Sequence, residues 1–248
     1  MSKYYHKIFT EEIENCNQLF WCLLDKTKVR LIWYNNHMSN LNIEKLVVGS
    51  FSTNCYILFS NESKTAVIID PGAEVSVIIA ALARLERRPS LILITHGHGD
   101  HIGGLTELKE KYPDVKVGIG QEEDGLLRDP ERNLSCFLEK PITFPGADLL
   151  LKDGETFSEA GLDFKVITTP GHTQGGVSYL VNKEALFCGD TLFYLSVGRT
   201  DFPGGDYFAL MSSIKEKILV LPKTVKVYPG HGPYTTVGIE TQENHYLK

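Results

Sequence analysis

The spacing of apolar and polar positions divides the chain into two regimes. Residues 1–37 are rich in aromatics but show no clear period. From Met38 the stretch "MSNLNIEKLVVGSFSTNCYILFS" alternates and ends in turn residues, as strands do. This pattern predicts a leader of unassigned structure over 1–37, added from an upstream start, and a folded domain over 38–248. "TAVIID" (65–70) reads as a short apolar strand closed by the turn signal "DPG". The following "AEVSVIIAALARLERRP" places Val75, Ile78, Ile79, Leu82 and Leu85 on one helical face. Glu74 opens that helix, Arg84, Arg87 and Arg88 complement its dipole, and Pro89 stops it. Next come a strand "LILI", a helix from Ile102 to about Tyr112, and strands at "VKVGI", "LDFKVITT", "GGVSYLV" and "EALFCGD". A helix after Asp206 runs through "YFALMSSIKEKIL", and "TVKVY" is a last strand. Strands alternating with helices, with strand-rich stretches at both ends, point to a layered α/β architecture.

Composition narrows the function classes. With 248 residues, 42% of them hydrophobic and 23% charged, the chain resembles an ordinary soluble protein with a proper core. A net charge of −6 and the lack of any long like-charge block give no reason to expect a nucleic-acid partner. The five cysteines (Cys16, Cys22, Cys55, Cys136, Cys188) are scattered and form no CxxC pair. That argues against a disulfide framework or a thiolate zinc site and fits a reducing cytosol. "LFWCLL" at 19–24 is too short for a signal-peptide core or a membrane span. The expectation is a cytoplasmic protein without a membrane partner.

The chemistry is concentrated at strand ends. "LILITHGHGDHIGG" runs from an apolar strand into His96, His98, Asp100 and His101, so one loop carries three of the eight histidines. Three imidazoles alternating with glycine on a turn have no packing purpose. The same grammar recurs in "FKVITTPGHT" with His172, "ALFCGDT" with Asp190 and "VKVYPGHGP" with His231. Sites in open α/β sheets form where loops leave the carboxyl ends of strands. If those ends are adjacent, five histidines and two aspartates meet. These donors suit Zn, Fe, Mn or Co, and seven are too many for one tetrahedral ion. They are about right for two divalent ions sharing a bridge, the arrangement of metal-assisted hydrolases. His6, His37 and His245 read as hydrogen-bonding surface residues, and Cys188 as a buried core thiol. Asp190 also reads as a helix cap, although its strand-end position favours a ligand.

The motifs THGHGDH, PGHT, CGDT and PGHGP, in this order and at these separations, resemble those of the metallo-β-lactamase-fold hydrolases over roughly residues 43–247. The resemblance implies a four-layer αβ/βα sandwich with the metal site at one edge between the two sheets. It implies that His96, His98 and His172 bind one ion, Asp100, His101 and His231 the other, and that Asp190 bridges them. Asp70 in "IIDPG" would orient a ligand histidine; a plain turn-former is an equal reading. Within the superfamily, "GDTLFYLSVGRTDFPGGD" and "YPGHGPYTTVGIETQENHYL" are similar to the small single-domain glyoxalase II-like group, whose activity is hydrolysis of glutathione thioesters such as S-lactoylglutathione. Glyoxalase II itself has an added C-terminal helical region that helps bind glutathione, and this chain stops 17 residues after His231. A smaller thioester or another ester is therefore also expected as substrate. Arg199 is a candidate anchor for a substrate carboxylate, with pairing to Asp201 as the alternative. Phe193 and Tyr194 are candidate pocket walls.

Two ions ~3.5–4 Å apart would share a hydroxide that attacks a carbonyl polarised by one of them. Asp100 would orient that nucleophile and take its proton. No further histidine or carboxylate in these motifs stands out as a general acid. A thiolate leaves without one, whereas an amine does not, so thioesters or activated esters are favoured over β-lactams. The rivals are a persulfide dioxygenase with one iron held by His96, His172 and Asp190, a nuclease or lactonase of the same fold, and a metal-stabilised binding module without activity.

Overall fold

In a computed structural model the chain is described over residues 40–138 and 140–248, and over a short antiparallel pair, β1 (Leu24–Asp25) with β2 (Lys28–Val29). That pair belongs to a unit of its own, Met1–Asn40, and Leu41–Lys248 form the other. The rest of the expected leader, with His6 and His37, lies outside the described residues.

The first sheet of the larger unit is laid down almost in chain order: β3 (Leu41–Val48), β4 (Thr53–Ser60), β5 (Thr65–Ile69), β6 (Arg88–Ile94), β7 (Lys116–Gly120) and β8 (Leu149–Leu151). Its first two pairings are antiparallel and its last three parallel. Helix α1 (Val75–Arg84) crosses from β5 to β6, and α2 (Gly99–Ile102) with α3 (Leu105–Lys111) crosses from β6 to β7. The second sheet is built from β9 (Thr156–Glu159), β10 (Leu162–Thr168), β11 (Val177–Val181) and β12 (Ala185–Gly189). After a small hairpin, β13 (Leu192–Phe193) with β14 (Ser196–Val197), it is completed by β15 (Lys226–Pro229) and β16 (Thr235–Thr236). Helices α4 (Tyr207–Ser212) and α5 (Val237–Glu243) flank this half.

Period-two strands explain the layering. β4 is buried along its whole length, so its alternation separates two cores rather than core from solvent. Tyr56 and Leu58 join Val67, Leu93, Phe164 and Tyr179 in a layer shared by strands of both sheets. Ile57 and Phe59 face the other way, packing with Ile78, Leu82 and Leu105 of α1 and α3. On the far side, Leu180, Leu186 and Val227 pack with Leu210 and Val237 of α4 and α5. The result is the expected four-layer αβ/βα sandwich. Each such buried aliphatic side chain contributes roughly 1.5–3 kcal/mol, and all three layers are built without any polar site. Among the described residues no helix is long and apolar enough to cross a membrane.

One edge of the sandwich is stitched by polar bonds. The Asn54 side chain donates to the carbonyls of Pro229 (3.0 Å) and Gly232 (2.9 Å), and Tyr56 Oη donates to Pro229 O (2.6 Å). Tyr179 Oη reaches Ile94 O (2.7 Å) in the same manner. Strands β5, β6, β10, β12 and β15 all end towards this edge, and their loops meet there.

Local details differ from expectation. The helix expected from Ile102 begins earlier and breaks at Gly103–Gly104, because the "DPG" backbone presses against it: a Cβ on Gly104 would stand 2.6 Å from Pro71 O. Helix α1 ends at Arg84, not at Pro89; Glu86 turns left-handed (φ 54°), and Arg88 and Pro89 already belong to β6. Glu74 does not cap α1 with its side chain, since its carboxylate accepts the Gly49 N–H (2.8 Å). Beyond α4, residues Ser213–Ile218 are π-helical rather than α-helical.

Candidate metal centre

Four strand ends deliver the polar side chains. After β6 come His96 and His98, the latter serving as the N-terminal boundary of α2, whose first turn carries Asp100 and His101. The loops after β10, β12 and β15 bring His172, Asp190 and His231. Donor atoms of His96, His98 and His172 lie within 4.8 Å of one another, as do those of His96, His101 and Asp190, and those of Asp100, His101 and His231. Asp190 touches both ends of the cluster: its Oδ2 is 3.7 Å from His172 Nε2 and 3.5 Å from His231 Nε2.

The outer ring nitrogens are already engaged, and this aims the inner ones. His172 Nδ1 faces Arg199 O (2.8 Å), His231 Nδ1 faces Phe51 O (3.1 Å), and His101 Nδ1 faces Asp70 Oδ2 (3.0 Å). His96 Nδ1 lies 3.1 Å from Thr95 Oγ1, which itself donates to Asp70 (2.6 Å). An oxygen acceptor at Nδ1 holds a proton there, so that Nε2 carries the lone pair whenever the ring is neutral. His98 is turned the other way, its Nδ1 standing 3.0 Å from His172 Nε2.

Three inner atoms, His96 Nε2, His101 Nε2 and Asp190 Oδ1, are buried with no hydrogen bond, and so is the outward Nε2 of His98. Leaving such groups unsatisfied costs about 1–3 kcal/mol each, which a shared cation would recover. The all-nitrogen-and-oxygen donor set therefore fits divalent metal, and the overlapping triads fit two ions.

Charge is divided unevenly across the cluster. Burial, then His101 and its other histidine neighbours, hold His96 well below the usual imidazole range and His98 at about 3. Burial opposes the charge of His231, but Asp100 and Asp190 outweigh it and carry the ring up to about 10. His101 is raised in the same way against its burial, by Asp100, Asp190 and Asp70. Burial pushes Asp100 up, yet His101 and His231 hold it at about 2, and Asp190 is held well below the carboxylate range by the same neighbours. Thr53 Oγ1 donates to Asp100 Oδ2 (3.0 Å) and fixes that carboxylate in place.

A cleft of about 480 Å³ opens over the cluster. Phe193 and Arg199 line it; Tyr194 does not, and is 46% exposed. Arg199 is engaged bidentately by Asp201 (2.9 and 2.7 Å) and lies over the Phe202 ring. Cys188 is a core thiol whose burial pushes it up to about 12.

Residues outside the histidine motifs also brace the centre. Glu123 is fully buried and accepts the backbone N–H groups of Gly97 (2.8 Å) and Gly175 (2.7 Å), bracing the loops that carry His96, His98 and His172. Its signal was a carboxylate where an apolar residue was due, in step with buried Leu126 and Leu127. Thr53, Phe51, Phe137 and Phe202 carried no signal of their own.

Comparison with known proteins places these observations. The family model for the metallo-beta-lactamase superfamily matches residues 48–231. The hydroxyacylglutathione hydrolase GloC of Haemophilus influenzae is 37% identical over 210 residues, 84% of this chain and 98% of that protein. The BLEG-1 B3 metallo-beta-lactamase structure aligns with a TM-score of 0.79 at 40% identity, covering 84% of this chain and 100% of that one. TTHA1623, solved in a di-iron-bound form, aligns at 0.72 and 33% identity over 82% and 100% of the two chains. ETHE1 from Myxococcus xanthus aligns at 0.70 and 27% identity over 83% and 84%.

Proposed function

The chain belongs to the metallo-beta-lactamase superfamily, and from that premise we propose that it is a two-metal thioester hydrolase of the glyoxalase II kind. The observation that carries the reading is the cleft floor: among the described lining residues, every imidazole and carboxylate belongs to the metal cluster. A leaving group that must be protonated finds no separate acid there. A thiol, with a pKa of about 8.5, departs as thiolate and needs none.

His96, His98 and His172 would hold one ion and Asp100, His101 and His231 the other, with Asp190 between them. When bound, such ions lower the pKa of water to roughly 7 and polarise a carbonyl oxygen. Asp100, ionised and held by Thr53, orients the attacking water and takes its proton. Asp70 and Thr95 keep His101 and His96 aimed, so that the donors need no rearrangement as charge develops. Phe193 contacts substrate from the cleft wall. Zinc is the first candidate, and iron or manganese suits the same donors.

The similarity to BLEG-1 favours β-lactam hydrolysis as the second reading. A single experiment separates the two: metal content of protein purified without added metal, followed by S-lactoylglutathione and a chromogenic cephalosporin offered side by side. About two ions per chain and thioester cleavage are expected. Cephalosporin turnover without thioester turnover would replace the proposal with the second reading. One iron per chain with oxygen uptake on a persulfide would replace both with the dioxygenase.

A further inference from the structure

The wall of the cleft above the metal cluster is aromatic and aliphatic. Phe51, Leu134, Phe137, Leu138, Phe193 and Phe202 supply it. Two of these rings are left in water, Phe137 at 84% exposure and Phe51 at 59%. Exposed aromatics gathered at the mouth of a polar site mark a surface that gains by being covered.

The polar groups on that wall are already committed. Asn133 donates to Leu126 O and Ile142 O (both 3.0 Å) and accepts the Ser135 N–H (2.9 Å), so its side chain is occupied in holding the loop. Arg199 is the one lysine or arginine among the described lining residues, and Asp201 takes one edge of its fork through Nε and Nη2. Stacked on Phe202, 4.3 Å from the ring centroid, it lies flat against an aromatic ring and already shares its charge with Asp201. A carrier with free carboxylates, such as glutathione, meets here one cation that a carboxylate already shares, and so gains little for the water its charges give up.

We propose that this cleft selects thioesters whose arms beyond the reacting carbonyl are uncharged and apolar, aryl groups above all, over thioesters of charged peptide thiols. The inference rests on the thioesterase reading and names its substrate class. Phe137 and Phe51 are the specificity-determining residues: the loop 133–138 and the turn before β4 hold them in the lining of the cleft, where an aryl arm covers exposed ring surface.

The test uses the full chain loaded with metal and four thioesters, lactoyl or mandeloyl on glutathione or on benzyl mercaptan. Mandeloyl benzyl thioester is expected to exceed S-lactoylglutathione in kcat/KM by about 10-fold or more, the gain from covering part of one aromatic ring. Phe137→Ala, a change at an exposed position, is expected to remove most of that preference. S-lactoylglutathione matching or exceeding the aryl thioesters would overturn the inference and leave the thioesterase reading standing. Binding of two unreactive ketone thioethers, S-(2-oxopropyl)glutathione and its benzyl counterpart, is measured by calorimetry in parallel. If no thioester is cleaved, the thioesterase reading fails, and this binding measurement still decides the cleft's preference: tighter benzyl binding upholds it, and equal or weaker binding overturns it.

Discussion

Asp70 shows how a single side chain can serve both the turn and the metal centre. It sits in the left-handed region (φ 51°), and its two oxygens take the Thr95 N–H, the Thr95 hydroxyl and His101 Nδ1. Asn accepts the same backbone conformation, so Asp70→Asn keeps the turn but exchanges one acceptor oxygen for an amide. The expected outcome is metal affinity lower by about 10–100-fold, read by competition with a chromogenic chelator; affinity within twofold of the parent would show that Asp70 only shapes the turn. The sequence exposes such residues unevenly. The histidines are legible because imidazoles between glycines serve no packing end. Local pattern shows Asp70 only as a turn residue, since His101 lies 31 positions away, and its ligand-orienting role was offered by the family resemblance alone. Glu123 is opaque for a further reason: it binds backbone N–H groups, which every non-proline residue carries.

Elements were legible where one rhythm sufficed and misread where a distant backbone intruded. A period of two locates β4, a period of 3.6 locates α1, and an unbroken apolar run locates β6. The Gly103–Gly104 pair marks a weak point in the helix after His101, but the reason for the split lies in the turn at Pro71–Gly72, which the local pattern does not show. Gly230 carries the same kind of constraint into the site. A Cβ there would stand 2.6 Å from His101 Cε1 and would collide with Asp190 Oδ1. β15 and its pairing with β12 lie just before it and need no change. Gly230→Ala is therefore expected to keep the far-ultraviolet circular dichroism of the parent and lose about 100-fold in kcat/KM on its best thioester, as misplacement of reacting groups does. A loss of less than twofold would mean that the cluster tolerates the displacement.

At the scale of the molecule, three apolar layers hold the sandwich while the centre lies at its edge. Removing metal should therefore lower Tm and leave a cooperative unfolding transition, as linkage to a bound ion requires. The charge pattern makes that linkage depend on pH in a definite direction. In the metal-free protein the carboxylates raise His231 to about 10, above its value of about 6.5 in the unfolded chain. Its contribution to stability is complete below pH ~6.5 and is lost as pH rises through about 10. An ion needs the neutral ring, so loading the Asp100–His101–His231 half expels protons, and its affinity climbs with pH across that same window. His96 and His98 are held neutral by burial and by the neighbouring histidines, so they give up no proton when ions bind near neutral pH. Metal titration by calorimetry at pH 7, in buffers of different ionisation enthalpy, should resolve one step with little proton release and one releasing one to two protons. Equal release from both steps would mean that the two halves do not differ in charge as their surroundings dictate.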